Sequence, residues 1–118
     1  MIAAQLRVGH VHKPVTAGHT RIYVGRASSY KPALGEDFSV LGNPYAMRSE
    51  ADRLDVIERY AAHLSADIKA AGPLSAALIT LTHRIEAGEH LTLLCWCSPL
   101  ACHADVIAEE IRLFLQPG

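Results

Sequence analysis

Apolar positions in this chain recur with two different periods, and the places where the period changes mark its elements. Residues 20–25, TRIYVG, alternate and are rich in β-branched and aromatic side chains, which predicts a strand that ends at Gly25-Arg26. Residues 91–96, LTLLCW, predict a second strand, whose period of two puts Cys95 and Cys97 on one face and Trp96 on the other. Residues 2–11 have scattered apolar positions and no clear period, so they predict an edge strand at most. The helical period is clearer. Residues 49–71 predict the longest helix, with Ser49 and Asp52 spaced as a capping box and Leu54, Ile57, Ala61, Leu64 and Ile68 as one stripe. Gly72-Pro73 stops it, and Pro73 opens a second helix to about residue 87, with Leu74, Leu78, Leu81 and Ile85 inward and Gly88 as its stop. A last helix over 102–115 should bury Ile107, Ile111 and Phe114 and turn Glu109 and Glu110 to water. Residues 27–40 carry Ser, Pro, Gly and acids without a period, which predicts a long loop.

Strand, loop, helix pair, strand, helix is the order of an α/β domain. We expect a small Rossmann-like three-layer domain, with a short, mainly parallel sheet flanked by helices. With 118 residues there is material for one core, so 1–118 should be a single domain, with 1–19 as an N-terminal edge segment and 20–118 as the α/β core. If 21–25 and 91–96 run parallel, ligands belong beyond their carboxyl ends. Those ends are Gly25-Arg26 and Cys95-Trp96-Cys97.

Composition narrows the partners. A formal net charge of −1 with 19% charged residues offers no field for general binding of duplex nucleic acid. No apolar run approaches a membrane span, and the first residues lack the basic-then-apolar order of a secretory signal. The three cysteines are odd in number and too tightly clustered to staple a secreted scaffold. A cytoplasmic location is therefore expected.

All three cysteines lie in 91–105, LTLLCWCSPLACHAD, which turns through Ser98-Pro99 and resumes as a helix near Cys102. Three chemistries compete there with plain buried thiols. Cys95, Cys97, Cys102 and His103 are a zinc-type ligand set, though an extended Cys-x-Cys and an adjacent Cys-His pair are poor spacings for a tetrahedral site, so zinc is not favoured. Cys102 at a helix N-terminus beside His103 has the makings of a nucleophile, because the helix dipole favours its thiolate. The third chemistry is a crevice for a small anionic ligand, with helix amides and Arg26 on phosphate and Asn43 reading a base or sugar. Gly42-Asn43-Pro44-Tyr45 is a shaped turn beside it, in which Gly42 allows close backbone approach or positive φ and Pro44 holds Asn43 extended. Arg48 and Arg53 are further candidate charges, and Tyr45 or Trp96 could stack on a base, although Trp96 reads more simply as core. His10, His12 and His19, separated by Pro14 and Gly18, read as a solvated loop.

Taken together, Gly25-Arg26, Gly42-Asn43-Pro44-Tyr45, Tyr60, Cys95-Trp96-Cys97, Pro99, Cys102-His103 and Asp105 form a pattern that resembles the bacterial and phage family known as domain of unknown function 4326. The resemblance covers roughly residues 21–115 and is most specific from Cys95 to His103. This chain differs in a longer loop before Gly42 and in Tyr45, where relatives usually have Phe. The resemblance implies the α/β fold and a site at these residues, Asp105 included, and brings no established activity. Its phage setting makes a nucleotide-related role an expectation by association. The sequence reads as a binder of a small anionic, nucleotide-like ligand, with a Cys102/His103 enzyme and a zinc-stabilised module as alternatives. Cofactor, turnover and self-association are left open.

Overall fold

The computed structural model describes residues 4–97 and 100–116; the turn expected at Ser98-Pro99 lies outside them. Four parallel strands are ordered β1-β4-β2-β3, with β1 at Leu6–His10, β2 at His19–Tyr23, β3 at Glu36–Asp37 and β4 at His90–Cys95. The central strand β4 pairs with β1 on one side, Leu91 beside Leu6, and with β2 on the other, Leu91 beside Thr20. Being covered on both faces, it is apolar nearly throughout. Leu91, Leu93 and Cys95 point with Ile22 and Val24 into the larger core. Leu94 points the other way, against Tyr23, Val11 and Leu34.

Three helices, α1 (Arg53–Lys69), α2 (Pro73–Glu86) and α3 (His103–Leu115), contribute Tyr60, Leu64, Leu78, Leu81, Ile107 and Ile111 to that larger core. The opposite face is closed by loop segments, with Val11, Val15, Tyr30 and Leu34 over Tyr23 and Leu94. The α/β class and parallel sheet expected from the sequence are what the chain adopts. The loop of residues 27–40 is more organised than its lack of period suggests: it holds 3-10 turns at Ala27–Ser29 and Pro32–Leu34 and the two residues of β3, which pair with Ile22 and Tyr23.

Two helical stripes differ from expectation. In α1 the buried residues are Val56, Tyr60 and Leu64, spaced by four, while Leu54 is 71% exposed. A 3-10 turn at Glu50–Asp52 precedes α1, so Leu54 falls in a first turn that points away from the core. The expected capping box is also absent at Ser49, which makes no side-chain cap; Asp52 instead accepts from the Arg48 amide at 3.1 Å. In α3, Ala104, Ile107, Ala108 and Ile111 are buried and Leu115 packs against the same core, while Phe114, beside that stripe, is exposed. The second helix follows its pattern: Pro73 is at its first position, Leu74, Leu78, Leu81 and Ile85 are buried, and Gly88 after it has φ +98°.

Candidate functional site

The parallel pairing of β2 with β4 brings Gly25-Arg26 beside Cys95-Trp96-Cys97. Val24 still donates to the Leu94 carbonyl at 3.1 Å, so the two chains separate just beyond the sheet. The Tyr23 ring folds back under this end: its hydroxyl donates to the Arg26 carbonyl at 2.7 Å and accepts from Trp96 Nε1 at 3.2 Å. A Cβ on Gly25 would sit 2.5 Å from that hydroxyl, which is why the position is glycine.

The Gly42–Tyr45 turn is pinned to the same strand end. Gly42 has φ −61°, so positive φ is not its role; close approach is. A Cβ there would lie 2.8 Å from the Gly25 carbonyl and 3.1 Å from Arg26 Cα. Asn43 Oδ1 accepts from the Tyr45 amide at 2.9 Å, a local Asx turn across Pro44. Arg26 then clamps the turn, donating from Nε to the Asn43 carbonyl at 2.9 Å and from Nη2 to the Tyr45 carbonyl at 3.1 Å. From α1, the buried Tyr60 hydroxyl donates to the Leu41 carbonyl at 2.7 Å.

At the start of α3 the cap is internal. The Cys102 amide donates to Asp105 Oδ2 at 3.0 Å, and the Asp105 amide returns to the Cys102 side chain. Cys95 and Cys102 Sγ lie 2.8 Å apart, sharing a hydrogen bond inside the core. That bond and burial push the Cys102 thiol well above its ordinary range. Loss of hydration and the Cys95 contact thus outweigh the helix-end dipole expected to favour a thiolate. His103 is buried, with Nε2 2.6 Å from the Val24 carbonyl and its ring edge-on to Tyr60. Nε2 therefore carries the proton, and burial, helped by Arg26, holds the imidazole below its ordinary value. His103 ties α3 to the end of β2.

Between these parts lies a crevice of about 260 Å³. Of the residues expected at a site, Gly25, Arg26, Asn43, Tyr45, Cys95, Cys97, Cys102 and His103 line it. Gly42, Pro44 and Asp105 are outside that lining: Gly42 and Asp105 shape the walls from behind through the contacts above. The lining also includes Ser29, Met47, Val56, Ile57 and Ala101, which no sequence signal marked as site residues; the periodicity places Ile57 only in a helical stripe. Trp96 was expected as core, yet it is 39% exposed, lines the crevice and meets His12 edge-on with centroids 5.1 Å apart. Arg53, one candidate charge among several, is the second cation of the crevice. Its guanidinium holds both Glu50 oxygens at 2.7 and 2.9 Å and donates to the Ala101 carbonyl at 2.8 Å, and it lines the crevice together with Cys97. Arg48 lines an adjoining cavity with Asp52, Asp55 and Arg59, which shares Tyr45 and Val56 with the crevice.

Among the described residues, no three His, Cys, Asp or Glu side chains are grouped so as to hold a metal ion, and no helix is long and apolar enough to cross a membrane. The profile of a family described as "Domain of unknown function (DUF4326)" matches residues 9–113. No curated protein and no solved structure matches the chain.

Proposed function

This chain belongs to the DUF4326 family, and from that premise we propose that it binds a small anionic, nucleotide-like ligand in the crevice between Gly25-Arg26, the Gly42–Tyr45 turn and the Cys95–Asp105 segment. The observation that carries the reading is a concave pocket beyond the carboxyl ends of two parallel strands, where α/β sheets hold their ligands, with Arg26 and Arg53 in its lining. Arg26 uses two N–H donors on carbonyls, and a guanidinium has more, so it can hold the turn and meet an anion together. Tyr45 and Trp96 supply aromatic surface for a ring.

Size limits the ligand. About 260 Å³ is just under the usual range for a site that encloses a drug-sized molecule, so a base or sugar with one anionic group suits it and a dinucleotide does not. We assign this binding to the cytoplasm, in phage or bacterial nucleotide or nucleic-acid metabolism.

The test is mass spectrometry of small molecules released on denaturing protein purified under reducing conditions, followed by calorimetry with the nucleoside monophosphates. A bound or titratable anionic nucleotide is expected, returned unchanged by a binder and altered by an enzyme. The same preparation should contain far less than one zinc per chain. Stoichiometric zinc that leaves only with unfolding, and no nucleotide binding, would replace this reading with a zinc-stabilised module.

A further inference from the structure

Trp96 is the only tryptophan of the chain, and it is held in place outside the core. Its Nε1 donates to the Tyr23 hydroxyl at 3.2 Å, and the rings of His12 and His10 meet it edge-on with centroids 5.1 and 6.4 Å away. Exposure forgoes much of the burial free energy that such a ring can supply. The indole borders two cavities. One is the crevice, and the other is a more open pocket of about 320 Å³ lined by Ser29, Lys31 and Trp96. Ser29 and Trp96 belong to both linings, so the pocket continues the crevice past the indole.

Charge along this path has one sign. Arg26 and Arg53 in the crevice and Lys31 in the pocket are cations, and neither lining contains a carboxylate. Glu50 already occupies Arg53, whereas among the described residues neither Arg26 nor Lys31 is in an ion pair. On the other side of the crevice the adjoining cavity presents Asp52 and Asp55, whose charges cancel those of Arg48 and Arg59. An anionic chain is therefore favoured on the Lys31 side only.

We infer that the crevice receives the terminal nucleotide of a single-stranded oligonucleotide, with Arg26 on its phosphate, while the next base stacks on Trp96 and the next phosphate lies at Lys31. This rests on the reading of the crevice as a nucleotide site and names the molecule to which that nucleotide belongs. The crevice has room for one unit, and the second lies outside it over the indole. Stacking on a fixed aromatic ring holds single strands without reading their sequence, because every base has a π-face. It needs only a cation per phosphate along the path, which suits a chain whose net charge of −1 gives no field for duplex. Asp52 and Asp55 disfavour a further phosphate beyond Tyr45, so the strand ends in the crevice and leaves past Trp96.

The experiment titrates the folded, full-length chain with mononucleotides and with dinucleotides phosphorylated at either end, in ribo and deoxyribo forms, by calorimetry and by tryptophan emission. With one tryptophan in the chain, the emission reports on Trp96 alone. The best dinucleotide should bind about tenfold or more tightly than its mononucleotide and quench Trp96 further. Lys31→Gln should leave mononucleotide affinity as it is, weaken the dinucleotide about threefold to tenfold, and lower the slope of its log affinity on log salt by about 0.7. Lys31 is exposed, so this variant does not put the fold at stake. Trp96→Ala should cost the dinucleotide more than the mononucleotide, and Trp96→Phe should recover part of the loss. A dinucleotide no tighter than its mononucleotide, unchanged Trp96 emission on dinucleotide binding, or an unchanged salt slope in Lys31→Gln would overturn the proposal. Mononucleotide binding without the dinucleotide gain refutes this inference alone; no binding by any of the probes refutes the nucleotide reading of the crevice itself.

Discussion

Gly42→Ala pits two effects of opposite sign against each other. At φ −61° and ψ 147° the backbone is open to alanine, so on chain entropy alone the substitution should stabilise the protein by about 0.4–1 kcal/mol. Sterics oppose this, because the new Cβ would stand 2.8 Å from the Gly25 carbonyl, 3.0 Å from the Ser39 carbonyl and 3.1 Å from Arg26 Cα. All three are main-chain atoms, so no rotamer change relieves the clash. Overpacking of this kind costs about 1–3 kcal/mol. Moving the turn away also stretches the exposed Arg26 bonds to Asn43 and Tyr45, each worth about 0.5 kcal/mol. Sterics win, and a net loss of about 1–3 kcal/mol is expected, or roughly 3–6 °C of Tm per kcal/mol for a chain of this size. Urea unfolding, with the m-value checked against the wild type, measures it. An alanine variant as stable as the wild type, or more so, would mean that the turn does not rest on the end of β2.

Three further outcomes are expected. Tyr60→Phe leaves the buried Leu41 carbonyl without its 2.7 Å donor and should cost about 1–3 kcal/mol in urea unfolding; a loss under about 0.5 kcal/mol would contradict that bond. Arg26 is exposed, so Arg26→Ala should lower stability by about 1 kcal/mol or less while clearly weakening nucleotide affinity by calorimetry; a large drop in Tm with unchanged affinity would make it a purely structural clamp. Burial, with Arg26, holds His103 below 6.5 in the fold against the opposing Val24 bond and Asp105, so the unfolded chain takes up the proton first. Stability should therefore be full above pH 6.5 and fall as pH drops through the folded value. His103→Gln, which keeps a donor for Val24, should flatten that slope, and an unchanged slope would assign it to another group such as His19, also held low by burial.

The sheet and helices could be read in the sequence where burial is one-sided and long. Leu74, Leu78, Leu81 and Ile85 keep helical spacing because one face of α2 meets the core, and Pro73 and Gly88 mark its ends. The strand ends of the crevice were legible for a similar reason: parallel pairing of β2 with β4 decides which residues emerge together. Side-chain direction past the last paired residue was not legible. Trp96 was assigned by alternation to the core, but the chain bends after Cys95, and the indole settles half out, over Tyr23 and His12. Nothing in the sequence separates Arg53 from Arg48 as a candidate charge, since the Ala101 carbonyl that helps fix Arg53 in the crevice lies 48 residues away. Gly42 was recognised as a close-approach glycine or a positive-φ one, and only the position of Gly25 decides between them.

The strand order has a consequence for how the chain is made. The central strand β4 is the partner of both β1 and β2, and its contacts with the N-terminal segment span 85 residues, as in the bond from the Gln5 amide to His90. During synthesis at roughly 5–20 residues per second, β1 and β2 therefore wait several seconds with no strand between them. Until His90–Cys95 emerges, the nascent chain has two strand edges that could pair with each other or with a neighbouring chain in the wrong register. Arg7 on β1 and Arg21 on β2 stand at facing positions on either side of Thr92 in the finished sheet. Before β4 arrives, the same two like charges disfavour direct β1–β2 pairing in that register, keeping the central slot vacant for the strand that carries the cysteines.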